Sequence, residues 1–288
     1  MVASQAVLIT GCSSGIGHAT ARRLHEDGWK VYATARRAEA ITDLQQLGCV
    51  TLALDVTEEE SMATAVRQIT EAEGAVGVLI NNAGYSQSGA VESVAIDDVR
   101  AQFETNVFGL IRMSQLALPG MREQGWGKIV NLGSMGGRLT FPGGGIYHAT
   151  KYAVEALSDA LRFEVRGFGV DVILIEPGLI VTGFGDVAAG SVDTSTGDGG
   201  DTAAGGAYFD FNRHVAKLTA EAYKGPMVKL GGGPEKVAGA IAGALSAKRP
   251  KARYPVTPSA HLMIGQRRVT PDRVWDLIMR AQFPTPKR

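Results

Sequence analysis

Thr10-Gly11-Cys12-Ser13-Ser14-Gly15-Ile16-Gly17 is the stretch that decides the fold, because it joins two elements of different kinds. It follows a short apolar run, 6–10, that is typical of a buried strand, and it opens a helix-prone run, 16–27, that Gly28 closes. Its glycines permit a tight turn and let backbone N–H groups and a helix N-terminus approach a phosphate group. Such glycines can also serve only to pack a helix on a strand, so the rest of the chain must distinguish a nucleotide site from simple packing.

The same alternation of strand and helix continues along the chain. We predict strands at 6–10, 30–35, 50–54, 78–81, 128–132 and 170–176, with a seventh, edge strand at 253–256. We predict helices at 16–27, 38–47, 58–73, 96–118, 147–165, 234–247 and 271–281, with Pro119 ending the fourth. This alternation indicates βαβ units and a parallel sheet. With no internal repeat and no linker, residues 1–288 are expected to form a single domain.

The pattern lapses between 183 and 233, most of all in 191–206, where small and polar residues dominate. Such residues bury too little apolar surface to offset the entropy of ordering, so we expect a mobile segment there. The aromatic residues Tyr208, Phe209 and Phe211 could form a lid over an apolar substrate. An ordinary surface loop explains them equally well.

Tyr147-His148-Ala149-Thr150-Lys151 places a phenol and an ammonium just over one helical turn apart, on one face of a helix. A free tyrosine is a poor base at neutral pH, but a fixed cation close to it favours the phenolate and lowers its pKa. The pair would therefore supply a tunable proton donor and acceptor. Tyr and Lys at this spacing also occur by chance on many helix surfaces.

Arg36 and Arg37 follow the second predicted strand, about where an NAD-dependent dehydrogenase usually carries an acidic residue for the ribose 2′-hydroxyl. Two guanidinium groups can instead bind a 2′-phosphate. The sequence therefore favours NADP over NAD. The alternative is that both arginines only solvate the start of a helix.

Composition excludes several classes of function. Lys+Arg and Asp+Glu are equal at 29 each, so no overall basic field favours nucleic acid as a partner. No apolar run of about 18 residues predicts a membrane span, and no basic, apolar leader precedes the first strand, which favours a cytoplasmic location. The two cysteines form no C-x-x-C, and the five histidines form no metal-binding pattern, so no metal is expected.

Together these features resemble the short-chain dehydrogenase/reductase family in its single-domain form, from Ala6 to about Thr182. The matching motifs occur in the family's order: Thr10 to Gly17, Asp55-Val56, Asn81-Asn82-Ala83-Gly84, Asn106, Ser134, Tyr147-x-x-x-Lys151 and Pro177-Gly178-Leu179-Ile180-Val181-Thr182. The resemblance implies an α/β, Rossmann-type doubly wound, mostly seven-stranded parallel sheet with helices on both faces. It also implies hydride transfer between a nicotinamide coenzyme and a secondary alcohol or ketone.

The resemblance further implies a role for each motif residue. Tyr147 would be the general acid in carbonyl reduction and the general base in alcohol oxidation. Ser134 would hydrogen-bond the substrate oxygen, and Lys151 would tune the tyrosine and hold the nicotinamide ribose. Asn106 would hold a water that relays protons from Lys151 to solvent. The residues expected at the coenzyme are Gly11, Ser13, Ser14, Gly15, Ile16, Gly17, Arg36, Arg37, Asp55, Val56, Asn82, Ala83, Gly84, Tyr147, Lys151, Pro177, Gly178, Ile180 and Thr182.

Each motif residue also has a plain alternative. Ser134 could cap a turn, Asn106 could be an ordinary polar helix residue, and Asp55 could cap the helix that begins near Glu58. These alternatives lose weight because the residues recur at successive strand ends.

The substrate is expected to contact Ser134, Phe141, Tyr147, Leu179 and Phe184. These surroundings are mostly apolar, which favours an extended apolar alcohol or ketone such as a steroid, a retinoid or another lipid. Arg138 could be a clamp for an acidic group, or as easily a surface charge.

Two other functions stay open: a non-catalytic nucleotide-sensing protein, and a lyase or epimerase that uses bound coenzyme without net redox change. The resemblance suggests a homodimer or homotetramer formed through 96–118 and 147–165. The tail beyond Ser246 would either cover the pocket or join a subunit interface.

Overall fold

The computed structural model describes residues 3–194, 206–222 and 229–286. Within them, seven strands form one sheet: β1 (Val7–Ile9), β2 (Val31–Ala35), β3 (Val50–Ala53), β4 (Val78–Asn81), β5 (Gly127–Leu132), β6 (Val170–Pro177) and β7 (Arg253–Val256). Their order is β3-β2-β1-β4-β5-β6-β7, and every neighbouring pair is parallel. The prediction of a seven-stranded parallel sheet with β7 at its edge is confirmed.

Helices cover both faces of the sheet. The described helices are α1 (Gly15–Glu26), α2 (Thr42–Leu47), α3 (Glu59–Glu73), α4 (Ile96–Phe103), α5 (Gly109–Glu123), α6 (Gly145–Glu164), α7 (Phe184–Thr194), α8 (Phe209–Ala222), α9 (Pro234–Ser246), α10 (Pro258–Val269) and α11 (Asp272–Gln282). Successive side chains of β1 enter opposite cores: Val7 and Ile9 pack with α1, α2 and α9, and Leu8 packs with α3 and α5. This alternation produces the doubly wound, Rossmann-type fold.

The strand order also fixes where a ligand can bind. From β1 the chain runs outward through β2 and β3, and it then returns to β4 on the other side of β1. The connections after β1 and β4 therefore diverge, and they leave a crevice beyond the carboxyl ends of these strands. The residues expected at a coenzyme follow β1 to β6, so the topology brings them to this edge.

Pro119 does not end the long helix, contrary to the sequence prediction. The helical run continues through α4, a π-helical turn at Glu104–Phe108 and α5, with Pro119 inside α5. Proline removes the hydrogen bond to the carbonyl four residues earlier, at Gln115. Both Pro119 and Gln115 are exposed, so water can satisfy that carbonyl and the helix tolerates the proline.

Helices α7 and α8 lie where the sequence showed no regular pattern. On α7, Ser191 Oγ accepts the N–H of Ser88 at 2.9 Å. On α8, Asn212 accepts the N–H of Ala90 at 2.8 Å and donates to Ser93 Oγ at 3.0 Å. These bonds span more than 100 residues of chain, so periodicity does not reveal them. The rest of the predicted mobile segment, 195–205 and 223–228, lies outside the described residues.

Candidate active site

The glycine-rich turn between β1 and α1 leaves room beside the N-terminus of α1. Gly11 and Gly15 have positive φ angles of 73° and 60°, which side chains rarely allow. A Cβ at Gly11 would lie 2.9 Å from the Cα of Ala83, and a Cβ at Gly15 would lie 3.4 Å from Thr182. The turn therefore requires glycine, and its backbone is open to a ligand.

Asn82, which follows β4, braces this turn. Its Nδ2 donates to the carbonyl oxygens of Thr10 at 2.8 Å and Gly11 at 2.9 Å. Thr10 Oγ1 in turn accepts the N–H groups of Asn82 and Ala83, both at 3.0 Å. A Cβ at Gly17 would overlap Gly11 O and the Asn82 amide. Asn82 and Gly17 thus shape the turn, and Gly17 does so from outside the cavity.

The residues expected at the adenosine end follow β2 and β3. Arg36 borders the cavity together with Ala35 and Asp55, whereas Arg37 is exposed outside it. Asp55 Oδ1 accepts the N–H of Thr57 at 3.0 Å and its Oγ1–H at 2.8 Å. Asp55 therefore closes a turn, and the alternative that it caps α3 is wrong because Glu58 occupies the cap position.

Tyr147 and Lys151 lie one turn apart on α6, as the motif predicted. Lys151 is only 8% exposed. Its Nζ donates to the carbonyl oxygen of Leu132 at 2.8 Å and lies 5.8 Å from the centre of the Tyr147 ring. Burial lowers the pKa of Lys151 from 10.5 to about 8. The end of β5 thus holds a buried cation beside the phenol.

Ser134 follows β5 and caps a short turn, Met135–Gly137, by accepting the N–H of Gly136 at 3.0 Å. Ser134 therefore does cap a turn, as the alternative interpretation predicts. It does not compete with a role at a ligand, because the cap uses a lone pair of the oxygen and leaves the hydroxyl proton to be donated. Ser134 borders the same cavity as Tyr147 and Lys151.

Asn106 lies in the π-helical turn and does not border the cavity. Its Oδ1 accepts the N–H of Tyr85 at 3.1 Å, and its Nδ2 donates to Tyr85 O at 2.9 Å and Thr150 Oγ1 at 3.1 Å. The side chain thus ties the loop after β4 to α6, next to Lys151. The predicted water relay at Asn106 stays a prediction.

The segment after β6 forms another wall of the cavity, with Pro177, Gly178, Leu179, Ile180 and Thr182 along it. Gly178 N donates to Val256 O at 3.0 Å, and Leu179 N donates to Ser259 Oγ at 3.0 Å. A Cβ at Gly178 would lie 2.6 Å from Thr257 Oγ1. Among the described non-glycine residues only Thr257 has a positive φ, 87°, so the corner between β7 and α10 is strained where it supports this wall.

The cavity bordered by these residues has a volume of about 1270 Å³. A pocket for one small ligand commonly measures about 300–1000 Å³, so this cavity has room for two. Of the predicted site residues, Gly17, Arg37 and Asn106 lie outside the lining. Gly11, Ser13, Ser14, Gly15, Ile16, Arg36, Asp55, Val56, Asn82, Ala83, Gly84, Ser134, Phe141, Tyr147, Lys151, Pro177, Gly178, Leu179, Ile180, Thr182 and Phe184 border it.

The half of the cavity away from the glycine turn is mostly apolar, with Thr219, Glu221 and Gln282 as polar exceptions. The Phe184 ring meets the Tyr147 ring edge-on at 5.6 Å. Further apolar side chains come from α7, α8 and the segment after α11: Val187, Val215, Leu218 and Phe283.

The tail beyond Ser246 contributes to this wall, as one of its two predicted roles required. Met263, Gln282 and Phe283 border the cavity. His214 of α8 holds the end of α11, with its Nε2 2.9 Å from Gln282 O. Trp275 and Met279 pack on Leu139. The tail therefore covers part of the mostly apolar half of the cavity.

His148 also borders the cavity, although no sequence motif assigns it a role there. Its Nδ1 donates to Gly136 O at 2.8 Å, and its Nε2 accepts the N–H of Phe141 at 3.3 Å. These partners, one acceptor and one donor, fix the neutral tautomer, and burial lowers the pKa of His148 accordingly. His148 thus fastens the loop after Ser134 beside Tyr147. Its position inside the Tyr-x-x-x-Lys motif was the only signal for it.

Arg138 is neither a substrate clamp nor a free surface charge. Its Nη1 lies 3.2 Å from Glu176 Oε1 and 3.8 Å from Glu155 Oε2. The side chains of Arg138, Glu155 and Glu176 do not border the cavity.

No cluster of His, Cys, Asp or Glu suited to a metal occurs in the described residues. None of the described helices is long and apolar enough to span a membrane. Cys12 and Cys49 are both buried free thiols.

Comparison with known proteins agrees with this architecture. Residues 5–189 match the family model for short chain dehydrogenases. A 3-ketodihydrosphingosine reductase from Bacteroides thetaiotaomicron is 36% identical over 282 residues, which cover 97% of this chain and 98% of that protein. The 17-beta-hydroxysteroid dehydrogenase type 1 of Homo sapiens is 36% identical over 265 residues, 88% of this chain and 77% of that protein.

A solved structure of a serine dehydrogenase complexed with NADP+ superposes with a TM-score of 0.74 at 28% identity, covering 88% of this chain and 94% of that chain. The family model spans well over half of the chain, and the relatives match nearly its full length. The chain therefore belongs to the short chain dehydrogenase family.

Proposed function

We propose that this chain is an NADP-preferring oxidoreductase that interconverts an apolar secondary alcohol and its ketone. One observation carries the proposal: Ser134, Tyr147 and Lys151 border one cavity with the glycine-rich turn at the N-terminus of α1. Groups that handle a proton thus share a cavity with a site suited to a pyrophosphate.

The residues present fit a nicotinamide coenzyme. Gly11 and Gly15 leave the backbone of the turn open where side chains would fill it, and the N-terminus of α1 favours negative charge. Ser13, Ser14 and Ile16 would hold the pyrophosphate, and Asp55 and Val56 would flank the adenine. Asn82 to Gly84 and Ile180 would line the coenzyme cleft, and Pro177, Gly178 and Thr182 would meet the nicotinamide end.

In the reducing direction, a nicotinamide coenzyme held by these residues would supply the hydride that adds to the carbonyl carbon of the substrate. Tyr147 gives its phenolic proton to the carbonyl oxygen, so the product is a neutral alcohol. Ser134 donates its free hydroxyl proton as a hydrogen bond to the same oxygen and stabilises the charge that develops there. Lys151 would hold the nicotinamide ribose of the coenzyme. Its positive charge stabilises the phenolate that Tyr147 becomes when it gives up its proton. Oxidation of the alcohol runs through the same groups in reverse.

The preference for NADP rests mainly on Arg36. Its guanidinium borders the adenosine end of the cavity, where Ala35 stands in place of the acidic residue that usually selects NAD. A guanidinium can bind a phosphate in a bidentate manner.

An extended apolar substrate suits the lining of the other half of the cavity. Phe141, Leu179, Phe184, Val215 and Phe283 contribute apolar surface there. The two relatives are named for a ketosphingosine and a hydroxysteroid, which supports a keto or hydroxyl group on an apolar skeleton.

Helices α7 and α8 act, in this proposal, as a lid on a single catalytic domain. Val187 and Val215 place them over the substrate half, and removal of apolar substrate from water needs such a cover.

We also propose a homo-oligomer formed through α4, α5 and α6. Free buried thiols at Cys12 and Cys49 suit the reducing cytoplasm.

The experiment is coenzyme turnover by the purified protein, with NADPH and NADH, against a series of apolar ketones. Consumption of coenzyme in a one-to-one ratio with the alcohol formed supports the proposal. Coenzyme binding without consumption would favour a nucleotide sensor, and substrate conversion without consumption would favour a lyase or epimerase.

A further inference from the structure

A cluster of charged side chains, built on two buried glutamates, lies next to the turn that carries Ser134, and none of its members borders the cavity. Glu176 of β6 and Glu155 of α6 are 1% and 7% exposed. Arg138 Nη1 lies 3.2 Å from Glu176 Oε1. From β7, Arg253 Nε donates to Glu155 Oε2 at 3.0 Å, and its Nη2 donates to Asp159 Oδ2 at 2.6 Å. The cluster thus joins the turn after β5 to α6, β6 and β7.

The turn packs directly on the part of α6 that carries Lys151. A Cβ at Gly137 would lie 2.9 Å from Lys151 O and 3.0 Å from Glu155 Cγ. Gly133, just before Ser134, faces Glu155 Oε1, which its Cβ would approach to 3.5 Å. Arg138 follows Gly137 in the chain, so its ion pair with Glu176 fastens the turn at this contact.

Glu155 keeps its proton to a higher pH than an ordinary glutamate, because its pKa is raised. Burial raises its pKa from 4.5 to about 7, and the negative charge of Glu176 adds to this shift, while Arg253 opposes it. Glu155 Oε1 has no hydrogen-bond partner among the described residues, and an unpaired buried carboxylate oxygen is costly. A proton shared by Glu155 and Glu176 removes one of the two negative charges of this pair.

We propose that Arg138, Glu155 and Glu176 are positioning residues for the reaction: they hold the Ser134 turn against α6 and so fix the Ser134 hydroxyl relative to Tyr147 and Lys151. This inference rests on the proposed function. None of the three residues touches the substrate or the coenzyme. The cluster acts through the turn, which His148 also holds, by its contact with Gly136 O.

Charged groups face Glu155 from each element packed against it. They are Lys151 and Asp159 on its own helix, Arg138 on the turn, Glu176 on β6 and Arg253 on β7, with Arg162 paired to Asp159 at 2.6 Å. Two of the nearest are cations, so loss of the Glu155 proton above about pH 7 strengthens its ion pairs with them. It also restores repulsion between Glu155 and Glu176. The net charge of the cluster beside the turn therefore changes by one when Glu155 titrates.

The test compares Arg138→Met with Arg138→Lys in steady-state kinetics and in coenzyme binding measured by fluorescence. We expect Arg138→Met to lower kcat by about 10- to 100-fold, the scale set by small errors in positioning a catalytic group, with the Kd for NADPH changed less than about twofold. Arg138→Lys should recover part of kcat. Arg22→Met is the matched control, because it removes the same charge from an exposed pair with Glu26 on α1.

If Arg138→Met folds poorly, the double variant Arg138→Met with Glu176→Gln replaces it, because it removes one charge of each sign. We expect the same low kcat in this double variant. An infrared spectrum is independent of turnover: the band of a protonated buried carboxylic acid should fade as pH rises through about 7 in the wild type and be missing in Glu155→Gln.

A kcat for Arg138→Met equal to that of Arg22→Met would overturn the inference while leaving the proposed function intact. So would equal losses in kcat and coenzyme affinity, which indicate a purely structural role. Infrared spectra that do not differ between wild type and Glu155→Gln would overturn the proton on the pair. A wild-type protein that consumes no coenzyme with any ketone would overturn the proposed function, and the inference with it.

Discussion

The ammonium of Lys151 lies 2.8 Å from the carbonyl oxygen of Leu132, so the last residue of β5 holds the charge that α6 presents to Tyr147. Leu132 also stands two residues before Ser134. Strand β5 therefore orients both the cation beside the phenol and the hydroxyl expected at the substrate oxygen. The proposed chemistry depends on this contact between strand and helix.

Raising the pH through about 8 should lower kcat/KM for the coenzyme, by about 5- to 10-fold. This ratio reports ionisations of the free protein, and burial places the pKa of Lys151 at about 8. Above that pH the amine is neutral and is a weaker donor to the ribose hydroxyls. Lys151→Met should show a low kcat/KM without this ionisation. A wild-type profile that stays level between about pH 7 and pH 9 would contradict the assignment.

Arg36→Ala should raise the Kd for NADPH by about 10- to 100-fold, the scale of a lost hydrogen bond between charged groups. The Kd for NADH should change little, because NADH lacks the 2′-phosphate. Arg37→Ala is the matched control, since Arg37 lies outside the cavity. Fluorescence titration with NADPH and NADH measures both Kd values. An equal loss of affinity for NADPH and NADH in Arg36→Ala would show that Arg36 does not select the 2′-phosphate.

The stability of the wild type should fall as pH rises from about 4.5 to about 7, through the contribution of Glu155. Its pKa is about 7 in the folded protein and 4.5 when unperturbed, so between these values the folded state holds a proton that the unfolded state has lost. Below the window both states are protonated, and above it neither is. Urea denaturation at about pH 5 and pH 8 measures the difference, which should shrink in Glu155→Gln. An unchanged difference in that variant would place the pH dependence elsewhere.

Phe163→Asp should dissociate the proposed homo-oligomer. Phe163 on α6 is 69% exposed and Phe108, just before α5, is 51% exposed, and apolar side chains this exposed commonly mark an interface. A buried charge in their place would be unpaired. Light scattering after size-exclusion chromatography measures the mass. Val269→Asp, at a 79% exposed position on α10, is the control, and dissociation by that variant alone would move the interface to the tail.

Local patterns in the sequence were enough to predict the sheet and the motif residues that it brings together. Glycine at Gly11 and Gly15 is demanded by backbone geometry, and Tyr147 and Lys151 share a helix face by spacing alone. Because strands in this fold end at one edge, the residues that follow them converge. Order along the chain therefore predicts proximity in space.

Features that depend on contacts between distant residues could not be predicted in this way. Helices α7 and α8 are anchored by Ser191 and Asn212 to a loop about 100 residues earlier. Pro119 was expected to end a helix, but its exposure lets water replace the lost bond. The sequence alone suggests a clamp or a surface charge at Arg138, because its partner Glu176 is 38 residues away in sequence.

The most direct test of the central claim is the initial rate of NADPH oxidation with an apolar ketone by the wild type and by Tyr147→Phe, at equal coenzyme occupancy. Phenylalanine keeps the ring against Phe184 but cannot give a proton. We expect turnover by the wild type, and a rate at least about 100-fold lower in the variant with NADPH affinity retained. A Tyr147→Phe protein that reduces the ketone as fast as the wild type would contradict it.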